Sequence, residues 1–390
     1  VGHALACPQM TRRTFVSSAI AATTTACAKR KASGFPGYAF VANQEGQAVA
    51  AVDLTVFAVA RHIRVAGHPT SVITHPGRSV VYALTPENGT VHEIRSDTLA
   101  FSRKVQVAAS AVSMRLSHDA AHLYVLCKEP RKLVRLAVEA LRPDWQIGLP
   151  ASPVDFDIDA QDQWIAISYG PEHILSLLQT STGSAGQPIR TTGEIGTVRF
   201  QGDSRQLIAA NLSERMLSIY QVASGRLIVN LPLAVRPDNL CFKSDGGELF
   251  VTGDGGDAVV VVFPYFTPQV AETVLAGHAP AAMASTLSAP PARQYLFVSN
   301  PKSGDVSILD ITQRRIIAVT QVGAEPGQIT ITPDDQYALV LNQGSGDMAV
   351  LRIANITRAA ASEYGRSRKG PIFMMIPVGS KPVSTAIVPI

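Results

Sequence analysis

The chain has 390 residues, of which 46% are hydrophobic and 16% charged, and 34 Lys+Arg against 30 Asp+Glu leave a formal net charge of +4. That apolar content supplies a sizeable core and argues against a disordered or coiled-coil chain. With no basic run in the body of the chain, binding to nucleic acid through phosphate neutralisation is disfavoured too.

In chain order, the first feature is Met10-Thr11-Arg12-Arg13-Thr14-Phe15-Val16, followed by a mild apolar run through Ala26 with no acidic residue between positions 10 and 31. Paired arginines before a weakly hydrophobic, small-residue stretch resemble a twin-arginine export signal. Met10 is the expected start, and residues 1–34 are read as signal and linker. Thr24-Thr25-Ala26-Cys27 is similar to a lipoprotein cleavage box, although Thr24 stands where an aliphatic residue is usual. Cys27 is therefore the lipidation candidate, with simple cleavage nearby as the alternative. The apolar run is too short and too rich in Ser and Thr for a comfortable membrane span. The resemblance implies an exported protein, periplasmic or anchored on the outer side, that meets the membrane only through the signal or a lipid. Cys127 and Cys241 sit far apart inside apolar strands, as two buried free thiols would, and two cysteines make no disulfide framework.

From Tyr38 onward the chain repeats itself. Short apolar strands recur at 38–43 (YAFVAN), 81–86, 123–128, 164–169, 207–212, 249–254, 295–300 (YLFVSN) and 337–342 (YALVLN). A polar turn and a second strand follow each, as at 49–54 and 306–311. A third strand often ends in Gly, as in ETVLAG (272–277) and AVTQVG (318–323), and a fourth often follows Pro, as in QITITP (328–333). Alternation with period two and frequent Val and Ile make these strands, and no long amphipathic helix competes. Four antiparallel strands per unit at roughly forty-residue spacing describe a β-propeller.

The unit from Tyr295 to Pro333 resembles the YVTN repeat of bacterial surface-layer and exported propellers, similar also to lactonase-like and amine-dehydrogenase-like propellers. The likeness covers residues 38–390 and weakens in the third and fourth units. The acid at Asp53 and Asp310 is replaced elsewhere by Arg95, Ala137, Leu178, Tyr220, Phe263 and Arg352. Counting units predicts one all-β domain over residues 35–390, an eight-bladed propeller of four-stranded antiparallel blades; seven is the habit of the family and the alternative. The chain opens on a second-type strand and closes on a first-type strand at 384–389, so both termini should share one blade and remove the open edge. Residues 354–371, small and basic, read as an insertion. The patterns of WD40 and kelch repeats are missing. Two tryptophans are too few for a pyrroloquinoline-quinone propeller, and no Cys-x-x-Cys-His is present for covalent haem.

Function on a propeller concentrates in loops around the channel mouth. The repeat alignment places one residue per unit there: His68, Ser110, Ser152, Glu194, Arg236, His278, Glu325 and Lys381. Two His, two Glu, Arg and Lys could bind a small anion, hold a metal or seat a general acid and base, or simply form a hydrated funnel. The neighbouring loops, including Gly253–Asp257 and Pro301–Asp305, have hairpin-turn composition, which outweighs calcium at Asp254 and Asp257. His118 and His122 have metal-like spacing but fall in a turn on the other face. The expectation is a non-catalytic binding or scaffold protein, monomeric, taking a protein partner or small ligand at the loop face and needing no cofactor. One alternative is a lactonase-like hydrolase using His68, Glu194, Arg236 and His278. A weaker one is a periplasmic oxidoreductase with a non-covalent cofactor such as a haem derivative, one of those histidines serving as axial ligand.

Overall fold

The computed structural model describes residues 34–184, 186–288, 292–356 and 371–390. The twin-arginine motif, Cys27 and most of the 354–371 insertion lie outside them. Eight four-stranded antiparallel sheets make up the fold. Numbered in chain order, blade 1 spans residues 37–64 and is completed by the C-terminal strand Pro382–Pro389. Blades 2 to 8 span 71–106, 110–148, 155–190, 195–232, 239–275, 283–321 and 326–377. In blades 2 to 8 the innermost strand comes first in sequence. Blade 1 instead borrows Pro382–Pro389, which pairs antiparallel with Gly37–Asn43 in the register Tyr38↔Val388, Phe40↔Ala386. The eight-blade count and the closure by both termini thus hold, and blade 1 has its full complement of four strands.

Period-two alternation explains why the ring coheres. In the strand Gly37–Asn43, Phe40 and Ala42 pack with Val72, Val81 and Ala83 of blade 2. Ala39 and Val41, facing the other way, pack with Leu339, Leu341 and Val350 of blade 8. Each sheet therefore buries both faces, one against each neighbour, and its central strands are largely apolar and buried: Tyr295–Asn300 is buried along its whole length. Among the described cysteines, Cys127 is buried and Cys241 half-buried; both are free, and burial pushes each thiol up to about 11.

The two most regular columns of the repeat, the Gly that ends the outer strand and the Asn that ends the apolar strand, are one contact. A Cβ on Gly277 would lie 2.3 Å from Asn300 Nδ2, one on Gly323 2.5 Å from Asn342 Nδ2, and one on Gly379 2.8 Å from Asn43 Nδ2. The freed space lets Asn342 donate to Val322 O at 3.1 Å and Asn43 to Val378 O at 2.8 Å. The incoming connection is thereby tied to the blade it enters, with a buried carbonyl satisfied by a buried amide. The next residues along are those predicted for the mouth, so this Gly–Asn contact sets where they stand.

Candidate functional site at the channel mouth

The mouth is built from two loop sets on one face: the connections between blades and the loops between the two central strands of each blade. His68 follows Gly67 in the connection into blade 2. Its backbone N–H donates to Glu87 Oε1 at 2.6 Å and its Nδ1 lies 3.2 Å from the same oxygen. Its Nε2 lies 3.4 Å from Gln47 Nε2. His278, after Gly277, places Nδ1 3.2 and 3.1 Å from the two carboxylate oxygens of Asp257. Arg236 Nε donates to Asp238 Oδ1 at 2.7 Å, and Lys381 Nζ lies 3.6 Å from Glu45 Oε1. Each basic side chain of the predicted ring thus has a carboxylate beside it. The Asp238 hydrogen bond raises the Arg236 guanidinium, with Glu194 of the neighbouring connection adding a smaller push. The Asp257 carboxyl is held below the usual carboxylate range, first by the Ala279 N–H and then by His278.

The remaining predicted positions are less engaged. Ser110 opens the inner strand of blade 3 opposite Glu129, and Ser152 is half-buried in the connection into blade 4. Glu194 is anchored through its backbone, its N–H to Ser213 Oγ at 3.1 Å and its carbonyl to Leu212 N at 2.8 Å. Glu325 is exposed and, like Lys381, holds a left-handed φ (52° and 53°) directly before a proline. Non-glycine residues adopt that conformation only under constraint, here the turn into the inner strand.

The structure brings together some of these residues and not others. A 420 Å³ cavity is lined by His278, Asp238, Asp254, Asp257 and Lys302, among others, and an adjoining 850 Å³ cavity by Glu325, Gln321, Gln343 and Lys302. Asn239, Ala281 and Lys302 border both cavities, which therefore adjoin across blades 6 to 8. Neither is lined by His68, Ser110, Ser152, Glu194, Arg236 or Lys381. His68 and His278 lead into blades 2 and 7 and do not share a site. Among the described residues no group of three or more His, Cys, Asp or Glu is placed to hold a metal ion. Asp254 donates its N–H to Asp238, and Asp257 serves His278, so both act inside hydrogen-bonded turns. His118 pairs with Asp162 and His122 with Asp144, in separate contacts.

Sequence reasoning missed a second polar zone inside the channel. Arg115, Asp157 and Arg199 follow one another at equal steps of 42 residues on the inner strands of blades 3, 4 and 5, so one column of the repeat reads plus, minus, plus. Arg199 Nη1 lies 2.6 Å from Asp155 Oδ2, and Arg115 Nη2 and Nη1 lie 3.5 and 3.6 Å from Asp155 and Asp157. The same side chains serve the exposed edge of the next blade. Arg115 Nε donates to Phe156 O at 2.5 Å, and Asp157 Oδ2 accepts the Phe200 N–H at 2.8 Å. Gln328 and Ser384 likewise accept the N–H groups of Thr385 and Val72. An inner strand has a free edge facing the channel, and side chains from the preceding blade answer its unpaired peptide groups. Burial pushes the Asp157 carboxyl up despite both arginines and pulls the Arg115 guanidinium down, with Arg199 adding to the latter.

These features define the class: an eight-bladed β-propeller with a polar channel and an ion-paired loop face. No protein-family model matches the chain, and no curated protein sequence matches it. By structure the chain is similar to dihydro-heme d1 dehydrogenase NirN in complex with DHE, at 15% identity and a TM-score of 0.74 over 90% of this chain and 74% of that one. It is also similar to apo AztD from Citrobacter koseri (12% identity, TM-score 0.68, 91% and 98% covered). Hydrazine synthase of Kuenenia stuttgartiensis aligns at 17% identity and a TM-score of 0.57, with 73% and 96% covered. At such identities the likeness establishes the propeller fold.

Proposed function

We propose that this chain is an exported, YVTN-type propeller that binds a small polar ligand, without transforming it, in the recess at the channel mouth. Export rests on Arg12-Arg13 and the run that follows them. The observation that carries the binding site is the recess of two adjoining cavities, one lined by His278 and the other by Glu325 with Lys302 bordering both, a concave space with convergent polar groups on a rigid scaffold. The test is a thermal-shift screen of small polar compounds on wild type, His278→Ala and Lys302→Ala. A compound whose stabilisation disappears in both variants supports the recess; compounds that stabilise all three proteins equally overturn it.

One observation favours a second reading. Asp257 engages His278 through Nδ1, which leaves Nε2 as the ligating nitrogen in a cavity, the carboxylate–histidine arrangement common behind metal ligands. A structural neighbour is named as a dehydrogenase of dihydro-heme d1. On this reading His278 and Lys302 would hold a haem derivative, His278 through its Nε2 and Lys302 by meeting a carboxylate, and the bound group would supply redox chemistry. Titration with haemin, followed by absorbance, decides it: a spectrum of nitrogen-ligated haem in wild type that is lost in His278→Ala supports it, and an unchanged free-haemin spectrum removes it.

A further inference from the structure

We propose that the channel contains a second ligand site, independent of the mouth and open toward the opposite face, that takes a small zwitterion bearing one carboxylate and one ammonium group. The space is a 590 Å³ cavity walled by the inner strands of blades 1 to 5 and 8, with Arg115, Asp157, Ser71, Thr74, Gln328 and Ser384 among its lining residues. Its volume falls in the range of small-molecule sites. The turn residues His118, Ala160 and Gly202 also line it and place its opening on the face away from His278.

The ligand chemistry follows from what Arg115 and Asp157 leave unused. Arg115 spends Nε on Phe156 O, but its two terminal nitrogens stand 3.6 and 3.5 Å from Asp157 and Asp155, beyond good hydrogen-bond length. A guanidinium fork offers parallel N–H donors suited to a carboxylate. Asp157 spends Oδ2 on the Phe200 N–H, and its Oδ1 faces Arg115 without closing on it. One cation and one anion therefore line the cavity side by side, each with bonding capacity unmet by the other, in a setting where desolvation makes each charge costly. A plain anion reaching Arg115 would meet Asp157 and Asp155, and a plain cation reaching Asp157 would meet Arg115 and Arg199. A molecule carrying both charges satisfies the pair without leaving a net buried charge. The flanking Ser71 and Thr74 hydroxyls and the Gln328 amide supply neutral hydrogen bonds for the rest of the molecule.

The test is calorimetric titration of the full chain with L-alanine and L-glutamine, and with propionate and ethylammonium, which are L-alanine less its ammonium and less its carboxylate. The two amino acids should bind, and the two singly charged analogues at least tenfold more weakly. Asp157→Asn, which keeps an oxygen for the Phe200 N–H, and Arg115→Gln should each weaken the amino acids tenfold or more, with far-ultraviolet circular dichroism verifying the fold. If Arg115→Gln does not fold, Asp157→Asn alone decides. His278→Ala and Lys302→Ala should leave this binding unchanged, which separates it from the mouth. Absence of heat with every probe, equal binding of propionate or ethylammonium, wild-type binding by folded Asp157→Asn, or loss of binding in His278→Ala would each overturn the proposal.

Discussion

The mouth and the channel wall carry the same kinds of charged side chain and use them differently. At the mouth, His278 and Asp257 are 59% and 51% exposed, and His68 and Glu87 nearly as much, so water competes with every pair. Inside the channel, Asp155 and Asp157 are only 17% and 15% exposed, and their oxygens also receive peptide N–H groups of the next blade. Exposed pairs contribute little to stability and remain free to exchange partners for a ligand. Half-buried charges tied to a strand edge hold blades together, and removing one leaves its partners unanswered. The comparison predicts a mouth tolerant of substitution and a channel wall that is not.

The sharpest way to break that comparison is to remove the wall itself. Deleting residues 381–390 takes the inner strand from blade 1, exposes the edge of Gly37–Asn43 and opens the ring. The truncated chain should lose its cooperative thermal transition and aggregate; a sharp melt near that of the full chain would show that closure is dispensable.

Asp155→Ala comes next. It removes the 2.6 Å contact with Arg199 and the acceptor for the Val198 N–H, and should cost about 3 kcal/mol in denaturant unfolding. Lys381→Ala at the mouth, losing only the exposed Glu45 contact, should cost less than about 1 kcal/mol. Equal costs for the two would erase the distinction drawn here.

Between them falls a pH effect that contrasts an exposed histidine of the mouth with one buried in blade 2. His68 is exposed at the mouth, whereas His92 is 1% exposed, with Nε2 3.1 Å from Thr85 Oγ1 and Nδ1 unpartnered. Burial lowers the His92 imidazole from 6.5 to about 4, with Lys104 adding to the shift. In the unfolded chain the ring takes up a proton near its ordinary value, so the folded state is fully favoured above that pH. Its contribution is lost as pH falls from 6.5 toward 4, by up to about 3 kcal/mol. Unfolding midpoints measured across that range should fall more steeply for wild type than for His92→Gln.

Much of this was legible in the residues alone. Val- and Ile-rich strands at a steady interval mark the blades, and the mismatch between the opening strand type and the closing one marks the shared blade 1. The Gly column located His68, Glu194 and His278, since each follows a glycine that an Asx side chain or its neighbour crowds: Asn88 at Gly67, Asn211 at Gly193 and Asn300 at Gly277. The partners of the ring residues were not legible. Glu87 and Asp257 sit in loops whose composition is explained by turn formation alone, and Lys302 reads as one more turn residue. The plus-minus-plus column of Arg115, Asp157 and Arg199 was present in the aligned repeats, but strand alternation by itself does not distinguish a channel-facing charge from one facing bulk water.

The sequence by itself determined the unit, its strands and the number of times it recurs, because backbone propensity and period-two burial act over a few residues and repeat with the chain. Only the tertiary structure decided which charges meet, since Asp155 and Arg199, or His278 and Asp257, are joined by the curvature of the ring and the packing of one blade on the next. It alone separated charges that hold the inner strands from charges left in water at the mouth, because that difference lies in how much solvent the closed ring excludes around each one.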